Sequence, residues 1–184
     1  MARFRTEPAE ELRPLMVDLI RVLEFDYIDP DRVHLRRSWG STSNAYARIW
    51  ELPALWSEVL EVQPQYIIEV LSQYFDKLTP AEQTEILIHE LLHIPKTFSG
   101  ALRNHRGQGE PINHRTVNKY YRRWVKAKKE ETAASEAVEA AKRIEREIVS
   151  PPMKEPKTPA PSSSPSKARR KSEAVSPPQI SFPW

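Results

Sequence analysis

The apolar residues of three segments recur at the spacing of an amphipathic helix, with polar and charged residues between them. The first stripe consists of Leu12, Leu15, Met16, Leu19, Ile20 and Leu23. The second consists of Thr84, Leu87, Ile88, Leu91 and Ile94, and the third of Val117, Tyr120, Tyr121, Trp124 and Val125. The pattern therefore predicts three helices that each bury one face.

Between the first and second stripes the pattern changes to short runs that favour strands. Residues 33–35 predict a short strand, and residues 36–44 are typical of a loop. Residues 45–50 alternate small or apolar with polar side chains, and residues 65–70 are rich in β-branched and aromatic ones, as strands are. Residues 52–62 predict a short helix. Helices and short strands in this succession predict an α+β fold.

The second helix has clear sequence signals at both ends. Thr79, Pro80 and Glu82 form a capping box with proline at the first helical position. Pro95 prevents the helix from continuing much beyond Ile94. The pattern therefore predicts a helix between these two points.

Composition divides the chain into three parts. Residues 1–129 are expected to form the domain, and residues 130–149, with small residues among alternating charges, a solvated helix. Residues 150–184 hold nine of the seventeen prolines, so we expect disorder there. That tail carries six basic and two acidic residues, or +4, whereas the whole chain carries +3. Residues 1–149 therefore sum to −1, and the basic balance belongs to the tail.

Composition also excludes several classes of protein. The chain has no cysteine, which rules out disulfides and thiolate metal sites. It has no run of eighteen apolar residues, so no membrane span is predicted. The first twenty residues mix charges of both signs and lack the apolar core of a secretory signal, so we expect an intracellular location.

The motif that carries chemistry is HExxH, formed by His89, Glu90 and His93 on the second helix. Two histidines four residues apart lie on one face, so both rings can reach one metal ion. Glu90 lies beside them and can take a proton from a water that the ion makes acidic. A catalytic zinc site needs a third protein ligand, for which His105 is the first candidate and His114 the second.

The stretch LIHELLHIPKTFSGALRNH resembles a family of metallopeptidases found in archaeal and phage genomes. RSWGSTSNAYARIWELPALW upstream and VNKYYRRW downstream also resemble it, so the likeness covers residues 27–124. It implies a minimal zincin-like domain whose short strands pack beside the HExxH helix. It implies that His89, His93 and His105 bind Zn²⁺ and that Glu90 is the general base. Zincins pair an edge strand with an extended peptide substrate, and residues 45–50 are the candidate here.

Two other interpretations stay open. Residues 115–129 are basic with interspersed aromatic residues, and the tail adds KARRK, which favours a nucleic-acid-binding module or a chromatin-associated protease. A zincin that binds metal only as a scaffold is the other alternative. The sequence HExxH retains Glu90, which argues against that second possibility.

Overall fold

The computed structural model describes residues 4–107 and 109–149, and within them the fold is α+β, as predicted. The strands are β1 (Arg5–Pro8), β2 (Val33–Trp39), β3 (Ala47–Glu51) and β4 (Tyr66–Leu71). The helices are α1 (Arg13–Val22), α2 (Ala54–Val59), α3 (Ser72–Phe75), α4 (Pro80–Leu92) and α5 (His114–Val149). One-turn helices at Glu10–Leu12 and Pro30–Arg32 precede α1 and β2.

The four strands form one mixed sheet in the order β1-β2-β4-β3. The central strands β2 and β4 are parallel, with Val33 opposite Tyr66, and both outer pairs are antiparallel. β3 pairs with β4 so that Ala47 lies opposite Val70. β1 and β3 are therefore the two edges of the sheet.

The core lies where α1 and α4 pack with the sheet. α4 contacts both α1 and β3. Helix and strand residues that are fully buried include Met16 and Leu19 of α1, Val33 of β2, Ile68 of β4, and Leu87 and Leu91 of α4. The predicted apolar stripes of the first two helices are thus the faces that the fold buries, which fixes α4 in place against the sheet.

Part of the strand prediction is wrong. Residues 36–39 were predicted as loop, yet they belong to β2, because β1 pairs on one side of them and β4 pairs on the other as far as Ser38. Arg37 would be poorly placed in a buried sheet, but its guanidinium donates to Glu11, Ser72 and Asp76. The sequence also gave no indication of β1, whose four residues are all exposed.

The chain divides into two compact units, Met1–Ala133 and Ala134–Trp184. The first contains the whole sheet and all five histidines. In the second, residues 134–146 are all exposed. The predicted boundaries at 129 and 149 stay predictions, and the tail 150–184 lies outside the described residues. No helix of the described part of the chain is both long and apolar enough to cross a bilayer.

Candidate metal centre

Helix α4 holds the HExxH residues in a fixed register because both of its ends are defined. The Thr79 hydroxyl accepts from the Glu82 N–H, and the Glu82 carboxylate accepts from the Thr79 N–H. This is the predicted capping box, with Pro80 in the first turn. At the other end, His93 is the C-terminal cap residue. His89 and His93 therefore lie one turn apart near the end of a helix that cannot shift along its axis.

Three imidazole rings converge at this end of α4. The Nε2 atoms of His93 and His105 each lie 3.2 Å from Nε2 of His89. One ligand nitrogen from each of the three residues lies within 4.8 Å of the others. The third ring comes from the loop after α4, which turns back on the helix so that His105, sixteen positions after His89, reaches the same point.

The spacing of these nitrogens fits a tetrahedral metal ion. Two nitrogens bound to zinc at about 2.0–2.1 Å with a tetrahedral angle lie about 3.3 Å apart, close to the observed 3.2 Å. Burial, with the charges of His93 and His105, lowers the pKa of His89 to about 3. Burial likewise lowers the pKa of His93. Both rings are therefore neutral at pH 7, the form in which an imidazole offers a lone pair to a metal.

The backbone of Arg103 fixes the ring of His93. His93 Nδ1 lies 2.7 Å from the Arg103 carbonyl oxygen, which can only accept, so Nδ1 carries the proton and Nε2 presents its lone pair to the site. The Arg103 N–H donates to the His93 carbonyl at 2.7 Å. The guanidinium also donates to the carbonyls of Leu92 and Glu110. Arg103 thus fastens the loop that carries His105 to the end of α4.

A tight turn before Arg103 allows the loop to reverse direction. Gly100 has a φ of +78°, which side chains disfavour, and a Cβ there would lie 3.4 Å from the Cβ of Pro64. The Tyr66 hydroxyl accepts from the Gly100 N–H at 2.8 Å and donates to the Ala101 carbonyl at 3.2 Å. A buried strand residue therefore anchors the turn, which explains the glycine of the FSG sequence.

Glu90 follows His89 directly on α4 and is buried. Only 6% of the residue is exposed. Burial raises the pKa of the Glu90 carboxyl to about 8, and a hydrogen bond from the Ile49 N–H opposes this rise. The carboxyl is thus held between the end of α4 and the backbone of β3.

The outer edge of β3 faces the same region. Backbone bonds from Leu71 to Tyr46 and from Leu52 to Gln65 show that the even-numbered positions pair with β4. In an antiparallel ladder the alternate residues direct their N–H and C=O groups the other way. Ala47, Ile49 and Glu51 therefore present their backbone groups outward, and it is the Ile49 N–H that reaches Glu90.

The family model described as "Putative phage metallopeptidase" matches residues 4–142. The chain belongs to this family. The match spans the sheet, the convergent histidines and the first part of α5. No curated protein and no solved structure gives a significant match.

In this member of the phage metallopeptidase family, the structure brings His89, His93 and His105 together, and their role as metal ligands stays a prediction. His114, the second candidate, begins α5 and lies near Glu85, where burial raises the pKa of that carboxyl against the opposing charge of His114. Ligand histidines usually donate their second N–H to a carboxylate or a carbonyl, and Asp76 and Glu69 are the carboxylates that the sequence offers for this role. Asp76 instead binds Arg37, and Glu69 binds Arg48 and Trp50.

Arg103, Tyr120 and Tyr121 follow the HExxH helix in the sequence and are candidate hydrogen-bond donors to the oxyanion of a peptidase reaction, but two of them bind other groups. The Arg103 guanidinium binds two backbone carbonyls, and the Tyr120 hydroxyl donates to Glu110 at 3.3 Å. The contacts that sequence reasoning missed are the Arg103 carbonyl and the Ile49 N–H. Both are backbone groups, so no residue type marks them in the sequence.

Proposed function

We propose that the chain is a zinc-dependent peptidase in which His89, His93 and His105 hold the ion and Glu90 is the general base. The observation that carries this proposal is the convergence of three imidazole rings, with a buried glutamate directly after the first of them in the chain. Three protein ligands leave one tetrahedral position for water or substrate, which is typical of catalytic rather than structural zinc. Membership of the phage metallopeptidase family supports the same reaction class.

In this proposal, Glu90 is the residue of the chain that transfers the proton. When bound, zinc supplies Lewis acidity, which lowers the pKa of coordinated water towards about 7 and polarises a carbonyl. A nearby cation also favours the carboxylate form of a buried acid. Glu90 then accepts a proton from the attacking water and returns it to the leaving amine. The low exposure of Glu90 keeps bulk water from competing for that proton.

The substrate is proposed to bind as an extended peptide along β3. The outward backbone groups of Ala47, Ile49 and Glu51 form an edge that no other strand of the described sheet covers, and the Ile49 N–H on this edge binds Glu90. A peptide strand added there would place its own backbone beside the three histidines, as edge-strand recognition requires. This is the role expected for residues 45–50 from the family resemblance, and it is independent of the peptide's side chains.

Metal analysis and a protease assay test the proposal together. Purified protein should contain one zinc per chain, and His89→Ala should lose it, whereas His34→Ala should keep it because that ring lies beside Gln65, outside the site. Denatured casein should be cleaved by the wild type. Glu90→Gln should retain zinc but cleave about 10²–10⁴-fold more slowly.

Each part of the proposal has a result that would contradict it. Equal cleavage by the wild type and Glu90→Gln would remove the assignment of the base. Zinc without any cleavage of casein or of a peptide library would favour a metal-binding scaffold. Zinc retained by His89→Ala would place the ion elsewhere.

A further inference from the structure

The charges of α5 are unevenly distributed along its length. Residues 114–129 contain seven lysines and arginines and no acidic residue. Residues 130–149 contain six glutamates and three basic residues. A helix face that only has to be solvated usually carries both positive and negative side chains, as residues 130–149 do. The first part of α5 therefore concentrates positive charge beyond what solubility requires.

Some of these cations are used to attach α5 to the rest of the first unit. Three of them form ion pairs at 2.6–3.2 Å with acidic residues. The pairs are Lys119 with Glu110, Arg123 with Glu24, and Lys128 with Asp18 and Glu131. On the packed side, Trp124 donates to Asp18 at 2.8 Å and Val117 is buried. These contacts account for three of the cations and for the packed side of the helix.

The remaining cations lie on the side of the helix that points away from Val117 and Trp124. Arg115, Arg122 and Lys129 are seven residues apart, which places them on one line along a helix. All three are exposed, and none forms an ion pair within residues 4–107 and 109–149. Lys126 lies next to this line, and its contact with Glu130 is long, at 3.8 Å, and exposed. We call Arg115, Arg122, Lys126 and Lys129 the basic stripe.

We propose that the basic stripe is a nucleic-acid contact surface that binds the phosphate backbone. It extends over about 21 Å, at 1.5 Å per residue, and a helix of this kind fits the major groove of duplex DNA. Arg115 and Arg122 offer planar guanidinium groups suited to phosphate oxygens. The apolar side chains nearest the stripe, Tyr121 and Val125, are only half exposed, whereas a membrane-surface helix needs a broad exposed apolar face.

The binding expected from such a surface is electrostatic and independent of base sequence. Each phosphate contact releases counterions, so the affinity falls as salt rises. We expect the full-length, zinc-loaded protein to bind a labelled duplex of mixed sequence in a fluorescence-anisotropy titration. The triple variant Arg115→Gln, Arg122→Gln, Lys129→Gln replaces three stripe cations and should raise Kd about tenfold or more. It should also reduce the slope of log K against log salt by about 2.7, or 0.9 per contact.

A matched control lies on the same helix. Lys142→Gln, Arg143→Gln, Arg146→Gln removes the same charge from exposed positions where both signs are mixed. This variant should bind the duplex with nearly the Kd and salt slope of the wild type. Circular dichroism of both triple variants checks that the helix is kept.

Three results would overturn the proposal. The first is wild-type protein that does not bind duplex DNA even at 50 mM salt. The second is a stripe variant with the Kd and slope of the wild type, which would place the binding in the tail or elsewhere. In the third, the wild type binds polyglutamate as tightly as it binds the duplex, and the stripe substitutions weaken both interactions equally. That result would identify an acidic protein as the partner. None of these results depends on peptidase activity.

Discussion

At the scale of single residues, His93 shows how much of the site depends on one side chain and its backbone. Its Nε2 faces the other histidines, its Nδ1–H donates to Arg103, and its carbonyl accepts from the Arg103 N–H. These two bonds between His93 and Arg103 join the end of α4 to the loop that carries His105. The positions of two of the three rings are therefore coupled through a single neighbouring residue.

The identity of the third ligand can be tested with two equivalent substitutions. His105→Ala should lower zinc affinity sharply, because it removes one of three convergent nitrogens. His114→Ala should leave it unchanged, since that ring lies by Glu85. Competition with a fluorescent zinc chelator measures both affinities. The opposite ranking would make His114 the ligand.

The role of Arg103 predicts a smaller effect. Arg103→Ala removes the guanidinium bonds to the Leu92 and Glu110 carbonyls but keeps the backbone bonds to His93. Loss of such supporting contacts typically costs about 10–100-fold in metal affinity. The same chelator competition should show a weakening near the lower end of this range. Arg106→Ala, an exposed neighbour on the same loop, should have no effect.

At the scale of elements, the sequence was informative where a signal is local. The capping box and Pro95 predicted the ends of α4, and apolar periodicity predicted the buried faces of α1 and α4. β1 could not be predicted, because Arg5–Pro8 is exposed and polar and is a strand only through pairing with β2. The histidines could be found because side chains would bind the metal, whereas the contributions of Arg103 and Ile49 come from backbone atoms.

The capping box should contribute measurably to stability. Thr79→Ala removes the hydroxyl that accepts from the Glu82 N–H, and losing such a cap costs about 0.5–2 kcal/mol. Urea unfolding should show a lower midpoint with an unchanged slope. Thr79→Ser keeps a hydroxyl and should be close to the wild type. If both variants were equally destabilised, the loss would come from the threonine methyl and not from the cap.

At the scale of the whole molecule, bound metal should stabilise the fold. The three histidines come from α4 and from a loop after it, so they converge only when the chain is folded. An ion that binds only the folded state raises the melting temperature by mass action. EDTA should therefore lower Tm, and added zinc should restore it. The melting temperature of His105→Ala should respond to neither reagent.

A second prediction for the whole molecule concerns acid. Burial raises the pKa of Asp18, but hydrogen bonds from Arg21, Trp124 and Lys128 outweigh it and hold this pKa below its ordinary value. The folded state then binds fewer protons than the unfolded state, whose Asp has a pKa of about 3.9. The stabilisation is therefore complete above that pH and is lost as pH falls through the folded pKa.

Asp18→Asn tests this sign. It should cost about 1–2 kcal/mol at pH 7, because α1 and α5 lose charge-assisted hydrogen bonds. The difference from the wild type in urea unfolding should shrink below about pH 4. Asp26→Asn, at an exposed position, is the matched control for the removal of one carboxylate. A gap between wild type and Asp18→Asn that grows in acid would contradict the assignment.

In the proposed mechanism, the hydrogen bond between Glu90 and the Ile49 N–H has a consequence for the order of peptide binding and proton transfer. A peptide strand whose carbonyl oxygen accepts from the Ile49 N–H has to displace the Glu90 carboxylate from this donor. Binding of a peptide would then break the bond between Glu90 and the Ile49 N–H, and the carboxylate would become available as a proton acceptor. Such an enzyme would hold its general base in a hydrogen bond until the backbone of a substrate replaces it.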